Sequence, residues 1–189
     1  MSDQPIRLAV VIASTREGRR GGYVGAWFVD QARLRTDLEV SIIDLAEVSL
    51  PAFMSRAPHD GLAAVSAAVD AADAFVVVTP EYNHSYPASI KTLIDLTGRE
   101  WHAKPIGFVS YGGLSGGVRA VEHLRQVFAE VHATTIRDAV AFPGVGDHFD
   151  EDGTPIGADR ASHSTTIMLD RLVWWARALR VARLAVPYK

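Results

Sequence analysis

Five short apolar runs recur along the chain, and each is followed by a loop and then by residues with helical spacing. The first run, Ile6–Ala13, is continuous and rich in β-branched residues, which is typical of a strand covered on both faces. The other predicted strands are Leu38–Leu45, Ala74–Thr79, Ile106–Tyr111 and Thr134–Phe142. This alternation predicts an α/β chain with a parallel sheet and right-handed crossovers.

The segments between these runs carry apolar residues at helical spacing, as Val121, Leu124 and Phe128 illustrate. The predicted helices are Tyr23–Leu34, Gly61–Ala72, Ala88–Leu96, Val118–Val131 and a long one from about Ala158 to Val181. Irregular stretches are expected at Pro51–Pro58 and Pro143–Gly157. We therefore expect a three-layer, doubly wound, five-stranded parallel sheet in a single domain over residues 1–189.

Composition narrows the classes of function. The chain has 189 residues, of which 48% are hydrophobic and 22% charged, and its formal net charge is -3. A mild negative charge without a Lys/Arg-rich run argues against nucleic acid as a partner. The absence of cysteine excludes disulfides, iron–sulfur clusters, thiolate metal sites and a redox-active cysteine pair. Any redox chemistry must therefore use a bound cofactor, and we expect no metal site.

The first residues carry no targeting signal. Met-Ser-Asp-Gln-Pro has no basic region, and the apolar run that follows is interrupted by Arg7 and is far shorter than a membrane span. We expect a cytoplasmic protein without a membrane partner.

Ligands of open parallel sheets bind beyond the carboxyl ends of the strands, and the loop after the first strand, Ser14–Gly22, suits a phosphate. It contains hydroxyls, glycines and three arginines before a helix. Free N–H groups and the helix dipole at such a position favour an anion, and Arg16 or Arg19 can add a charge-assisted hydrogen bond. The alternative is a solvated basic turn in which Ser14 or Thr15 caps the helix.

Two further loops follow the third and fourth strands. Thr79–Pro87 is a polar, aromatic loop with a proline near each end. Its donors, acceptors and rings suit a flat polar heterocycle. An ordinary surface turn shaped by Asn83 is the alternative. Ser110–Gly117 contains four glycines, which let the backbone approach a ligand closely, although glycine also serves any flexible turn.

The glycine-rich loop also matches the GxSxG pattern of a serine hydrolase, with Ser115 as the nucleophile. Asp138 or Asp147 followed by His148 or His163 would supply the remaining triad members in the order of that class. This hypothesis leaves the first and third-strand loops unexplained.

Taken in order, the three loops resemble those of the NADPH-dependent FMN reductase family, which is flavodoxin-like and has azoreductase-, quinone reductase- and chromate reductase-like members. The matching segments are Ala13–Arg16, Pro80–Asn83 with Pro87 and Ile90–Asp95, and Ser110–Arg119. The resemblance covers roughly Leu8 to Val140. Ala13 replaces a usual glycine, and Gly21 stands where many relatives have serine.

The resemblance implies a cofactor site for FMN in two parts. The phosphate would be held by Ser14, Arg16 and the backbone of Gly21, Gly22, Tyr23 and Val24, with Arg19 assisting. The isoalloxazine ring would be flanked by Pro80, Glu81, Tyr82 and Asn83 and by Ser110, Tyr111, Gly112 and Gly113.

The resemblance further implies an NAD(P)H-dependent flavin reductase that uses NADPH or NADH as hydride donor. Electrons would pass, by a ping-pong cycle, to a small-molecule acceptor such as a quinone, an azo compound or a metal oxyanion. Because the flavin carries the chemistry, no catalytic side chain is expected. An electron-transfer or regulatory flavoprotein without its own turnover is the alternative, although true carriers are more acidic. Trp101, Trp174 and Trp175 can serve an interface or a core, and we expect a homodimer or homotetramer.

Overall fold

The computed structural model describes residues 4–51, 53 and 58–188. The strands are β1 (Ile6–Ile12), β2 (Leu38–Asp44), β3 (Ala74–Pro80), β4 (Pro105–Gly112) and β5 (Thr134–Pro143). The helices are α1 (Gly21–Arg33), α2 (Asp60–Ala71), α3 (Ala88–Leu96), α4 (Val118–Glu130) and α5 (Asp159–Ala185). Two short 3₁₀ turns, Arg99–Trp101 and Val145–Asp147, lie in the loops before β4 and after β5.

All neighbouring strands pair in parallel, in the order β2-β1-β3-β4-β5. The predicted five-stranded parallel α/β fold is therefore confirmed. The sequence-order numbering changes direction at β1, because β2 lies on one side of it and β3 on the other. The chain therefore leaves β1 and β3 towards helices on opposite faces of the sheet, α1 and α3. Such a point opens the crevice in which these sheets bind ligands.

The core has one apolar cluster on each face of the sheet. Helices α1 and α5 cover one face with residues such as Phe28 and Leu172, while α2, α3 and α4 cover the other with residues such as Leu93 and Phe128. Every residue of β3 is buried, as the continuous apolar run predicted for a strand between two helical layers.

Most boundaries differ from the sequence prediction by only a residue or two. Helix α5 is the exception, because it runs to Ala185, beyond the predicted end at Val181. The first helix-breaking residue is Pro187, and Val186 before it is already extended, as a residue before proline prefers. The predicted irregular stretch at Pro51–Pro58 lies mostly outside the described residues.

The three tryptophans singled out in the sequence differ in burial. Trp101 is fully buried between Phe75 and Phe128, whereas Trp174 and Trp175 lie on an exposed part of α5. No helix in the described part of the chain combines the length and apolar composition that crossing a membrane requires.

Candidate functional site

Three loops meet at the carboxyl edge of the sheet, and we name them by the strand that each follows. They are the β1 loop (residues 13–20), the β3 loop (81–87) and the β4 loop (113–117). Direct bonds tie them together. The amide of Ala13 donates to the carbonyl of Val78, and the amide of Glu81 donates to the carbonyl of Tyr111. The predicted phosphate and ring segments therefore lie side by side at one edge.

The β1 loop is braced by an ion pair that the sequence did not reveal. Arg19 donates to both carboxylate oxygens of Asp44 at 2.6 Å, and also to the carbonyl of Ser14 at 2.9 Å. The hydrogen bonds to Asp44 raise the pKa of Arg19. Because both ends of its guanidinium are occupied by protein atoms, Arg19 holds the loop against the end of β2.

The N-terminus of α1, which follows this loop, has free donors. Its first residue is preceded by Arg20, whose side chain makes no capping bond. The first intrahelical bond runs from the amide of Val24 to the carbonyl of Arg20, so the amides of Gly21, Gly22 and Tyr23 precede the helical ladder. Among the described residues none accepts from these three amides. The helix start thus has the uncapped N–H groups that an anion needs.

Arg16 differs from Arg19 in that it is exposed and has no ion-pair partner among the described residues. Its guanidinium is free to pair with an anionic ligand. The backbone around Gly22 also leaves free space, because a Cβ at that position would meet no atom within 4 Å.

Three hydroxyl groups converge beneath the β1 loop. The buried Ser14 Oγ lies 2.7 Å from the Tyr82 hydroxyl. The Tyr111 hydroxyl lies beside Gly21, where a Cβ would be only 2.6 Å from it. It is buried beside the Ser14 hydroxyl, but among the described residues no hydrogen bond to it is completed. Burial raises the pKa of the Tyr111 phenol, which therefore keeps its proton.

The β3 loop is a tight two-residue turn. Tyr82 and Ser85 exchange two backbone hydrogen bonds, and Asn83 and His84 between them have φ values of 48° and 74°. Positive φ at both central residues is typical of a type I′ turn, in which Asn is favoured. The turn exposes Asn83 and His84 beyond the sheet edge.

Glu81 joins the β3 and β4 loops. Its carboxylate accepts from the Ser115 hydroxyl at 2.8 Å and from the backbone and guanidinium of Arg119 at 3.2 and 2.8 Å. Burial alone would raise the pKa of Glu81, but these hydrogen bonds outweigh it and hold the pKa below the usual value. The two loops implied to flank the ring are therefore fastened to each other through a carboxylate.

The β4 loop needs its glycines for close approach. Gly116 and Gly117 have φ values of 61° and 87°, which glycine adopts without the cost that a side chain would bring. The buried Ser110 hydroxyl donates to the carbonyl of Gly116. The amides of Gly113 and Leu114 at the tip have no acceptor among the described residues, so this loop too offers free donors.

The residues that the hydrolase hypothesis requires do not form a triad around Ser115. Its hydroxyl donates to Glu81, whereas His148 Nε2 donates to the carbonyl of Pro143. Asp138 is paired with Arg171, and His163 is exposed on α5. The hydroxyl therefore serves to fasten a loop.

A cavity of about 880 Å³ lies at the opposite, amino edge of the sheet. It is lined mainly by charged residues, three of which, Arg7, Arg180 and Arg183, pair with the buried Asp73. None of the predicted site residues lines it.

The chain also matches known proteins. A sequence model of the NADPH-dependent FMN reductases matches residues 6–147, a range that holds all five strands and all three loops. The chain belongs to the NADPH-dependent FMN reductase family. The resemblance inferred from the loop motifs is thereby confirmed.

Relatives of this family differ in how much of the chain they match. An NAD(P)H-dependent FMN reductase of Schizosaccharomyces pombe is 31% identical over 59% of this chain and 60% of its own length. This chain thus matches less than two thirds of that relative. An NAD(P)H:quinone oxidoreductase of Solanum tuberosum is 32% identical over 70% of this chain and 73% of its own.

The fold of the family extends to solved structures. FerB, a flavoenzyme NAD(P)H:(acceptor) oxidoreductase from Paracoccus denitrificans, superposes with a TM-score of 0.73 at 22% identity. The superposition covers 92% of this chain and 98% of that one. At this identity the likeness concerns the flavodoxin-like fold alone.

The donor set at the carboxyl edge fits the phosphate end of FMN. A phosphate monoester is an acceptor with two negative charges at neutral pH, and the α1 start presents three free amides, an unpaired arginine and an unpartnered phenol. These groups carry either positive charge or hydrogen-bond donors. An anionic acceptor satisfies the donors and balances the positive charge at once, which a cationic ligand could not do.

Proposed function

We propose that this chain binds FMN at the carboxyl edge of its sheet and uses it as an NAD(P)H-dependent reductase. The observation that carries the proposal is the uncapped start of α1 beside two further loops that converge where the strand order changes direction. Membership of the FMN reductase family supports the same cofactor.

For the phosphate we assign Ser14, Arg16 and the amides of Gly21, Gly22 and Tyr23. The amide of Val24 is already bonded to Arg20, so Val24 contributes by anchoring the first turn in the core. Arg19 acts indirectly, because its pair with Asp44 sets the shape of the loop.

For the isoalloxazine ring we assign the backbone of Pro80, Glu81, Tyr82 and Asn83 on one side and of Ser110, Gly112 and Gly113 on the other. The Glu81 carboxylate keeps the two segments at a fixed separation through Ser115 and Arg119. The free amides of Gly113 and Leu114 can stabilise negative charge on a bound ring, as preorganised donors do in oxyanion sites.

When bound, FMN supplies the redox chemistry, accepting a hydride from NADPH or NADH and passing electrons to a second substrate. The protein binds and orients the reactants, and none of its side chains needs to act as acid or base. We propose a quinone, azo compound or metal oxyanion as acceptor and a ping-pong cycle. The quinone is the acceptor class named for the Solanum tuberosum relative. We further propose one FMN-binding domain per chain, assembled as a homodimer or homotetramer in the cytoplasm.

The test combines binding with turnover. Flavin-free protein titrated with FMN should quench flavin fluorescence and shift its absorption, and the complex should oxidise NADPH or NADH when a quinone is added. Parallel double-reciprocal lines at varied quinone would support the ping-pong cycle. Flavin binding without NAD(P)H oxidation would favour an electron carrier instead, and ester hydrolysis without flavin binding would contradict the proposal entirely.

A further inference from the structure

The Tyr111 side chain has an unusual position for a residue in a strand. Its ring belongs to the apolar cluster between the sheet and α1, together with Val24 and Phe142, while its hydroxyl reaches the first residue of that helix. The hydroxyl occupies the volume that a side chain at position 21 would fill, since a Cβ built on Gly21 lies 2.6 Å from it. Glycine at this position makes room for the phenol.

The buried hydroxyl lacks a partner where nearly all such groups have one. The Ser14 hydroxyl is its polar neighbour but pairs with the Tyr82 hydroxyl, and no described residue completes a hydrogen bond to Tyr111; a buried polar group left in this way is costly. Packing fixes the ring, so the hydroxyl cannot swing into solvent to find an acceptor. The missing acceptor is therefore to be sought at the start of α1.

We propose that the Tyr111 hydroxyl is a ligand of the FMN phosphate, donating to it from beneath the first turn of α1. It would act beside the free amides of Gly21 and Gly22, at the positive end of the helix dipole. The inference rests on the proposed FMN site and changes one role within it. Tyr111 was expected to flank the isoalloxazine ring, whereas its side chain lies at the phosphate end.

The ligand chemistry follows from the donors present. The phenol keeps its proton at neutral pH, because burial raises its pKa. A protonated phenol needs an acceptor, and a phosphate offers only acceptors at neutral pH. Hydrogen bonds to charged groups are worth more than neutral ones, so loss of this one hydroxyl should be measurable in FMN affinity.

The primary test is Tyr111→Phe, which keeps the ring and removes the hydroxyl. Flavin-free protein is titrated with FMN and with riboflavin, which lacks the phosphate, and the melting temperature is recorded. We expect FMN affinity to fall roughly 10-fold or more, the effect of losing a hydrogen bond to a charged group. Riboflavin affinity should change less than about 2-fold, within the scatter expected for a substitution that makes no contact with the ligand.

A swap of the hydroxyl between positions makes the test sharper. Gly21→Ser alone should weaken FMN binding, because its Cβ meets the Tyr111 hydroxyl. Gly21→Ser combined with Tyr111→Phe should recover affinity relative to either single variant, since a hydroxyl then returns to the vacated space. Such non-additivity is the signature of two positions sharing one function.

Each outcome of these titrations either supports the inference or overturns it. An unchanged FMN affinity in Tyr111→Phe would overturn the inference, and so would an equal loss for FMN and riboflavin, which would make the hydroxyl merely structural. Selective loss for FMN with recovery in the double variant would support it. If wild-type protein binds neither flavin, the proposed function itself fails, and this result is distinct from a failure confined to Tyr111.

Discussion

The two edges of the sheet are both polar, yet they differ in how their polar groups are satisfied. At the amino edge, the carboxylate of Asp73 is only 2% exposed and accepts from the side chain and backbone of Arg7. Arg180 and Arg183 lie within 3.5 Å of the same carboxylate. At the carboxyl edge, amides, a guanidinium and a phenol lack partners in the described residues.

The difference shows how a structural charge cluster can be told from a binding site. The cavity at the amino edge is large, but Arg7, Arg180 and Arg183 beside it share the Asp73 carboxylate, and Lys104 donates to the carbonyls of Val69 and Asp70 at the end of α2. The polar groups at the carboxyl edge are few, and they lack hydrogen-bond or ion-pair partners among the described residues. Unsatisfied donors of one kind indicate a missing acceptor, whereas the volume of a cavity indicates nothing about its ligand.

Asp73→Ala should produce the largest effect, and it should be confined to stability. Removing the carboxylate takes away the anion that Arg7, Arg180 and Arg183 share. Breaking a buried ion pair in this way costs about 3–5 kcal/mol. Urea unfolding should report that loss while FMN affinity of the folded protein stays unchanged.

The matched control is Asp70→Ala, which removes an exposed carboxylate from the same edge. Its effect on unfolding should stay within about 0.5 kcal/mol. A similar loss from both variants would mean that net charge, and not the pairing of Asp73, stabilises this edge.

Acid should act on the same cluster. Burial alone would raise the pKa of Asp73, but hydrogen bonds from Arg7 outweigh it and lower the pKa below the usual value. A carboxyl with a lower pKa in the folded state contributes stability that is complete above the unfolded pKa of about 3.9 and is lost as pH falls through the folded pKa. Stability measured from pH 6 downwards should therefore fall less steeply in Asp73→Ala than in wild type. An identical slope would contradict the assignment.

Arg16→Ala tests the carboxyl edge, with a smaller effect. We expect FMN affinity to fall about 10-fold, as for loss of a charge-assisted hydrogen bond, with riboflavin affinity little changed. Arg33→Ala, which removes an exposed arginine from the other end of α1, is the control for charge alone. Equal losses for FMN and riboflavin, or for both variants, would remove Arg16 from the phosphate site.

Ser115→Ala should have the smallest effect on activity. The change removes one of the hydrogen bonds to Glu81 and leaves both bonds from Arg119. Steady-state oxidation of NAD(P)H should stay within about 2-fold of wild type, because hydride chemistry at a flavin needs no activated hydroxyl. Abolished turnover with intact FMN binding would show that the serine has a chemical role.

The sequence was sufficient for the sheet, and it also indicated the end of the sheet at which we propose the site. β-Branched runs such as Ile6–Ile12 are typical of buried strands, and a parallel sheet brings their carboxyl ends to one edge. The motif residues Pro80–Asn83 and Ser110–Gly113 then follow the strands directly. Family motifs and strand topology thus agree without any knowledge of contacts.

The contacts between loops could not be predicted, because they join residues far apart in the chain. Nothing in the spacing of Arg19 and Asp44 indicates that they pair, so Arg19 was expected to assist the phosphate. Glu81 likewise was expected only to flank the ring, whereas its carboxylate fastens the β4 loop. The direction of the Tyr111 side chain was predictable from the sequence. Side chains alternate along a strand, so Tyr111 points to the other face of the sheet from Ser110, towards α1.

Amide hydrogen exchange with and without FMN tests the contrast between the two edges most directly. The account predicts slower exchange on FMN addition at residues 14–24, 80–86 and 110–117, and unchanged exchange at residues 99–104 and 180–188 of the amino edge. Riboflavin should protect the second and third segments but not the first, because it lacks the phosphate. Protection at the amino edge, with none at the start of α1, would contradict the account.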